Sequence, residues 1–480
     1  MRAAVWTAAL LCLAGCGDDG PIRDFVPSGD TGGADAGGDT STDVDDFDAA
    51  DVGDDVPVED VGADVADAFD ADAFDADAWD ADAFDADAWD ADAGDVGGDA
   101  GAPGVCGDGV CAPDDGLCPA DCPPIEPASC DAGRAVGEPG ATTSESFDIT
   151  WDRVEDGYAV LDAPIVLALP DDVEAITVTV EQRDIDTSID RVLLNEVVLG
   201  SVYEEPARTA LGGEAAASTL LLPNNPLSTP VAGCLSLEVS AAGATAGSTA
   251  TVTVVTRRDA LGGDIAVHAL VMGDTDVSDG DLEATFDVVR SVFEGADAPT
   301  LASVDVQRVD GPSVVADVGP DLNALRRRML GDGQGLNVVF VAGFTEAGTL
   351  GFAGGIPAPP FEGTDASALV IAVDEHLDAG GTILDTQLMG ETLAHEIGHQ
   401  LGLFHTTEAE GTAFDPLADT PACPRSMDDG DGEMSAGECR DQDGEYLMFW
   451  VAGDGVSQTR LSPSQVDVLR ANPLASRADR

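Results

Sequence analysis

The stretch from Thr392 to His405 constrains this chain more than any other, since it gathers three of the five histidines into fourteen residues. If residues 386–401 are helical, His395 and His399 lie four apart on one face, where both imidazoles reach a single ion. Met389, Leu393, Ile397 and Leu401 share that spacing on the other side and anchor the helix in a core. Gly402, three residues past His399, stands where a helix end favours positive φ. The chain can then turn and bring His405 back as a third ligand. Glu396, beside the first ligand, is placed to hold a water on the metal.

With 480 residues, length suggests about two to four domains and an ample core. Formal net charge is −73, and the 20 basic residues, all Arg, face 93 acidic ones. Such a surface repels nucleic acid, which is set aside as a partner. Arg2, the apolar run from Ala3 to Leu13 and the small residues after it read as an export signal, too short to be an ordinary membrane span. Leu13-Ala14-Gly15-Cys16 resembles the lipobox of bacterial lipoproteins. That resemblance implies removal of residues 1–15, a lipid on Cys16 and a protein anchored to the membrane outside the cytoplasm, at the outer membrane or cell surface. Plain cleavage and secretion is the alternative.

Of ten cysteines, Cys12 leaves with the signal and Cys16 would carry lipid, so eight remain, an even number in an oxidising compartment. They group as Cys106, Cys111, Cys118 and Cys122, then Cys130 and Cys234, then Cys423 and Cys439. Disulfides are expected, with a zinc knuckle as the other reading of the first four. Residues 16–104 are nearly all Asp, Ala, Gly and Val, and place Phe69, Phe74, Trp79, Phe84 and Trp89 five residues apart. That period matches neither helix nor strand, so the segment reads as a disordered tether, spanning roughly 50 Å as a flexible coil. Residues 105–125 form a small Cys-rich module, which resembles short CGDGxC…CPxDC repeats of secreted bacterial proteins.

Residues 126–260 carry short runs rich in Val, Ile, Leu and Thr, at Ala159–Leu169, Ala175–Gln182, Arg191–Leu199, Ser218–Leu222, Cys234–Ser240 and Ser248–Thr256. Gly, Pro and Asn separate them, so they read as a β-sandwich with an accessory role, its ends tied by Cys130 and Cys234. Arg257-Arg258 reads as a domain boundary and a processing site in a loop. In residues 261–480 strands and helices alternate. Strands are expected at Asp264–Met272, Ala302–Val309, Leu336–Gly343 and Ala368–Val373, and helices at Ser278–Phe293, with Asp279 as its cap, and Leu322–Leu330. Leu350–Ile356 is a glycine-rich extended segment, and Leu461–Arg470 a helix capped by Ser462 ahead of a Pro. An α/β sheet leading into the histidine helix is the implied architecture.

HExxH alone is a weak pattern, but His395, Glu396, His399, Gly402 and His405 fix five positions over eleven residues. This extended form resembles the metzincin zinc metallopeptidases. Three neutral imidazoles leave zinc its double charge and one open position, and Glu396 can act as general base toward the attacking water. The resemblance implies a zinc endopeptidase acting on extracellular proteins or peptides, with a Met in a tight turn beneath the metal. Met448, within Glu445–Trp450, is the candidate; Trp450 stands where several metzincins have a Tyr, a place Tyr446 would have to fill. Asp415, Asp419 and Thr420, ahead of Cys423, resemble a segment of the pappalysin branch that contributes to a calcium site. They are candidate calcium ligands on that ground. Met427–Glu438 matches an EF-hand loop at positions 3, 5, 6 and 12 but has Met where the first carboxylate belongs, and reads alternatively as an acidic loop closed by Cys423 and Cys439. His268 and His376 read as structural. The other functional class is an adhesion or ligand-binding lipoprotein with an inactive metzincin-like domain.

Overall fold

The computed structural model describes residues 122–137, 142–202, 208–258, 260–317, 320–328, 335–361, 363–378, 381–452 and 455–475. The signal, Cys16, the tether and Cys106, Cys111 and Cys118 lie outside them. Cys122 is disulfide-bonded.

The first half of the described chain is all strand: β1 (Arg134–Ala135), β2 (Thr143–Thr150), β3 (Arg153–Glu155), β4 (Tyr158–Val160), β5 (Ile165–Leu169), β6 (Ala175–Glu181), β7 (Thr187–Leu194), β8 (Val197–Ser201), β9 (Ala217–Leu222), β10 (Gly233–Ala242) and β11 (Thr249–Arg257). One sheet runs β1-β5-β10-β4-β3, with β7 and β8 attached through β10, and a second runs β2-β11-β6-β9. Alternating side chains of both sheets, among them Leu167, Val192, Leu237, Val178, Leu222 and Val252, share one apolar core. Cys130 and Cys234 are disulfide-bonded.

Two runs read as single strands are in fact pairs. Ala159–Leu169 divides into β4 and β5, with Pro164, which lacks a ladder donor, in the break. Arg191–Leu199 holds a hairpin turn: Asn195 and Glu196 take φ of 50° and 68°, and β7 pairs antiparallel with β8. Consecutive positive φ is the turn that matches strand twist, and Asn tolerates it.

The second half follows as β12 (Ile265–Met272), α1 (Asp279–Gly295), β13 (Leu301–Val309), β14 (Val315–Ala316), α2 (Pro320–Arg326), β15 (Leu336–Val341), β16 (Gly343–Phe344), β17 (Gly351–Phe352), β18 (Ala368–Ala372), α3 (Thr386–Leu401) and α4 (Pro463–Ala471). A five-stranded sheet has the order β13-β12-β15-β18-β17, parallel except for β17, the antiparallel edge. Its central strands are near-continuous apolar runs because both faces are covered. On one face α1 and α3 pack on Val267, Val338, Phe340 and Ile371; on the other α2 packs Leu322 and Leu325 on Val339, Val341 and Val370.

Capping differs from expectation at α1. Ser278, not Asp279, is the N-cap: its hydroxyl accepts the Asp281 N–H at 3.2 Å and the Asp281 carboxylate takes the Ser278 N–H at 3.1 Å. Only a residue preceding the first turn can reach its unpaired donors. Asp279 pairs instead with Arg308 at 2.7 Å. Helix α2 starts earlier than expected, at Pro320, whose fixed φ suits a first turn.

Arg257-Arg258 is a joint and offers no cleavage site. The Arg257 side chain is fully buried and donates to the carbonyls of Arg470 at 2.9 Å, Asn472 at 2.8 Å and Ala475 at 3.3 Å, around the C-terminus of α4. There the cation meets the negative end of the helix dipole. Arg258 pairs with Asp172 at 2.9 Å. Nearby, Ala175 and Leu221 of the paired sheets enter the same core as α3 and α4. Arg327 adds an ion pair to Asp184 at 2.9 Å and to buried Asp365 at 2.5 Å.

Arg257→Ala leaves those carbonyls without their buried donor, and about 2–4 kcal/mol of stability should be lost in urea unfolding; an unchanged midpoint would refute the joint. His376 gives a pH test. Its Nδ1 donates to Ala372 O at 2.7 Å and its Nε2 accepts the Thr392 hydroxyl at 3.1 Å, tying β18 to α3. Burial pushes this imidazole down to about 4 from 6.5. Because the folded value is the lower one, its contribution is complete above pH 6.5 and is lost as pH falls toward 4. Between pH 7 and pH 4.5 the wild type should lose about 2–3 kcal/mol that His376→Gln does not. Parallel losses in the two proteins would show that His376 is not the group responsible.

Candidate metal centre

Helix α3 is capped by Asp385, whose carboxylate accepts the Gln387 and Leu388 N–H groups, and it ends at Gly402 with φ 115°. That left-handed residue returns its own N–H to Gly398 O at 3.0 Å and turns the chain toward His405. Met389, Leu393, Ile397 and Leu401 are buried against the sheet. His395, His399 and His405 thereby converge, each offering a ring nitrogen within 4.8 Å of the others.

Their back sides explain the convergence. His395 Nδ1 donates to Leu447 O at 2.7 Å, His399 Nδ1 to Leu403 O at 2.7 Å, and His405 Nδ1 to Glu408 Oε2 at 2.9 Å. Each bond fixes the tautomer that leaves Nε2 as a lone pair facing inward. The Nε2 atoms of His399 and His405 lie 3.0 Å apart. Two such lone pairs repel, whereas a divalent cation between them turns the contact into coordination. Burial and the neighbouring rings hold His399 well below its ordinary value, and burial pushes His395 down to about 3, so both imidazoles are neutral, as ligands must be. The donor set therefore fits a metal.

Met448 is fully buried beneath this site. A Cβ at Gly398 would lie 2.4 Å from Met448 Sδ, so Gly398 is what admits the methionine to the helix. The turn is held by the Thr406 N–H on Met448 O at 2.8 Å and by the His395 bond to Leu447. Trp450 points its N–H elsewhere, to Met434 O at 2.5 Å, and Tyr446 packs beneath the Arg460 guanidinium at 4.9 Å.

Glu396 is buried against the edge strand. A Cβ at Gly351 would come within 2.9 Å of Glu396 Cγ, which is why the strand is glycine there. The Ala353 N–H lies near the carboxylate and favours its charged form, and Oε2 has no hydrogen-bond partner. Burial pushes the group up to about 8, opposed by the Arg326 guanidinium and the Ala353 N–H. A dication one residue away would act in the same direction as Arg326. Of Leu350–Ile356 only Gly351 and Phe352 form a strand. The Gly354 N–H is bound by Gln400 Oε1 at 3.1 Å. The Ile356 carbonyl lies against Gly212 of the paired sheets, where an added Cβ would come to 2.4 Å.

The calcium candidates divide. Thr420 donates to Asp415 Oδ1 at 2.5 Å, while Asp415 Oδ2 is buried without a partner and burial raises this carboxyl well above its ordinary range. Asp419 is turned toward α4, where it accepts the Ser462 hydroxyl at 2.8 Å and the Ser464 N–H at 2.9 Å. Asp443, unremarked in the sequence, acts electrostatically on Asp415 and has a buried Oδ1 without a partner. Cys423 and Cys439 are disulfide-bonded. In the loop they close, Asp428 Oδ1 accepts the Gly430 and Gly432 N–H groups, and Glu438 those of Asp429 and Ser435. Its carboxylates thus serve the loop's own backbone. Glu408 too was missed; a carboxylate three residues past the last histidine was its only signal.

Comparison with known proteins finds partial similarity to metallopeptidases. Residues 379–479 match the family described as Metallo-peptidase family M12B Reprolysin-like. Extracellular metalloproteases of Arthroderma benhamiae and Trichophyton verrucosum are each 27% identical over 180 residues, covering 34% of this chain and 63% of the relative. The chain thus spans less than two thirds of those relatives. Metalloproteinase-II from Bacteroides fragilis overlaps 45% of this chain and 55% of its own at 14% identity and a TM-score of 0.28, too low to carry argument. The histidine site therefore lies within the stretch that matches the reprolysin-like metallopeptidase family, in a chain similar in part to proteins named extracellular metalloproteases.

Proposed function

We propose that this chain is an exported zinc endopeptidase of the metzincin type. The observation that carries it is three imidazoles with their Nδ1–H groups tied behind them and their inner nitrogens aimed at one point, with Glu396 beside them. His395, His399 and His405 hold the zinc, and Met448 supports them from below. Zinc so held supplies Lewis acidity, polarising the scissile carbonyl and making water nucleophilic near neutral pH. Glu396 takes the proton from the water as the carbon–oxygen bond forms. It returns that proton to the leaving nitrogen as the carbon–nitrogen bond breaks. Substrates are proteins or peptides outside the cell.

Removing zinc with a chelator should abolish cleavage of a peptide library and returning zinc should restore it. Glu396→Ala should retain full zinc and lose about 10²- to 10⁴-fold in kcat. A fully loaded protein without Glu396-dependent cleavage would rule the reading out.

The finer reading, a pappalysin-like branch, rests on the sequence resemblance of the segment that holds Asp415, Asp419 and Thr420, while the family model that matches is the reprolysin-like one. It carries a calcium reading, in which Asp415 and Thr420, with Asp419 adjacent and Asp443 as a further carboxylate, bind the ion. Calcium should raise the melting temperature of the wild type by about 5 °C and leave Asp415→Asn unmoved. Equal behaviour of the two proteins in a calcium titration would exclude the site.

A further inference from the structure

Helix α2 lies on the face of the five-stranded sheet opposite α3, yet its last residue acts on the metal-site side. Leu322 and Leu325 bury against Val339, Val341, Phe352 and Val370, which fixes the helix beside the sheet edge. From there Arg326, only 8% exposed, reaches the edge strand and donates through Nη2 to the Ala353 carbonyl. The Glu396 side chain packs against the same segment at Gly351, and the Ala353 N–H lies close enough to favour its charged carboxylate.

The neighbourhood of Ala353 is held on both sides. Phe352 pairs with Val370 of β18, and Gly354 is bound by Gln400, one turn beyond Glu396 on the same face of α3. The Ala372 N–H on Leu350 O at 3.0 Å sets the alternation, so Gly351 and Ala353 turn their polar groups away from β18. At an open edge an outward carbonyl would face solvent or an incoming strand. Here a guanidinium meets it, and brings a positive charge near the buried carboxylate.

We propose that Arg326 is a positioning residue: it fixes the Ala353 backbone, which in turn holds Glu396 in place to exchange protons with water and the leaving nitrogen. This deepens the endopeptidase reading and rests on it. A planar donor is suited to the task because its fork holds a carbonyl in a set direction.

The test uses full-length, zinc-loaded protein and the variants Arg326→Met and Arg326→Lys, each also placed in the Glu396→Gln background. Arg326→Met should lower kcat about 10- to 100-fold, with KM and zinc content held within twofold. Arg326→Lys, which keeps a charged donor, should recover most of that loss. In the Glu396→Gln background neither change should matter further, because the group being positioned is gone. Crystal structures of the zinc-loaded wild type and Arg326→Met supply a readout independent of turnover: the Ala353 N to Glu396 carboxylate contact should be present in the first and lost in the second. An unaltered contact, or a kcat loss of equal size in the Glu396→Gln background, overturns the Arg326 proposal and leaves the endopeptidase reading standing. A wild type that binds zinc and shows the contact but never hydrolyses peptides overturns the endopeptidase reading, and with it the catalytic purpose given to Arg326, while leaving the contact itself in place.

Discussion

The site depends on what stands behind each imidazole. A neutral histidine is a ligand through one nitrogen only, and which one is decided by the hydrogen bond the other makes. Here the three acceptors come from three constructions: Leu403 O from the reversal at Gly402, Leu447 O from the turn that carries Met448, and Glu408 from the loop after the last histidine. Two of these acceptors lie within four residues of their histidines, and only Leu447 O comes from a segment remote in sequence. The ligand geometry is therefore mostly local, with one tertiary contact that brings the Met448 turn to the site.

Two glycines show how closely α3 is packed. Gly398 admits Met448 beneath the histidines, and Gly351 admits Glu396 against the edge strand. A methyl group at either place would push a buried side chain out of register with the others, since a packed interior has no free volume to absorb it. Both glycines lack positive φ and serve by their missing side chain. Gly402 is the opposite case, chosen for its backbone conformation.

Local signals were legible and remote ones were not. The bounds of α3, its reversal at Gly402 and its buried face follow from periodicity and capping, which act over a few residues. Most strands followed likewise; the hairpin at Asn195 was hidden because the runs beside it are apolar, and β2, Thr143–Thr150, was missed because its residues are mostly polar. Arg257-Arg258 was misread because two adjacent arginines look the same in an exposed loop as in a joint. Only contact with α4, more than two hundred residues on, distinguishes them. Asp443 and Arg326 were missed for the same reason: each acquires its meaning from a partner distant in sequence. Asp419, read only as a candidate ligand, also belongs to the cap of α4.

The choice of cation connects these remote contacts. A chain with 93 acidic residues and 20 arginines has ample surface on which a lysine would serve, yet lysine is absent. Arg257 and Arg326 are buried and Arg327 is partly so. Through Nη1 Arg257 reaches three carbonyls, through Nη2 Arg326 holds the Ala353 carbonyl, and through Nη1 Arg327 bridges Asp184 and Asp365. A guanidinium stays charged when buried and directs several donors in fixed directions, whereas a buried ammonium tends to lose its proton. In a chain so strongly self-repelling, attraction between charges is most effective where water is excluded and the charges cannot be screened. Arg257 and Arg326 stand at such places, the first between the paired sheets and α4 and the second between β17 and α2. Arg257 joins the two halves of the fold, and Arg326 sets the backbone beside which Glu396 rests.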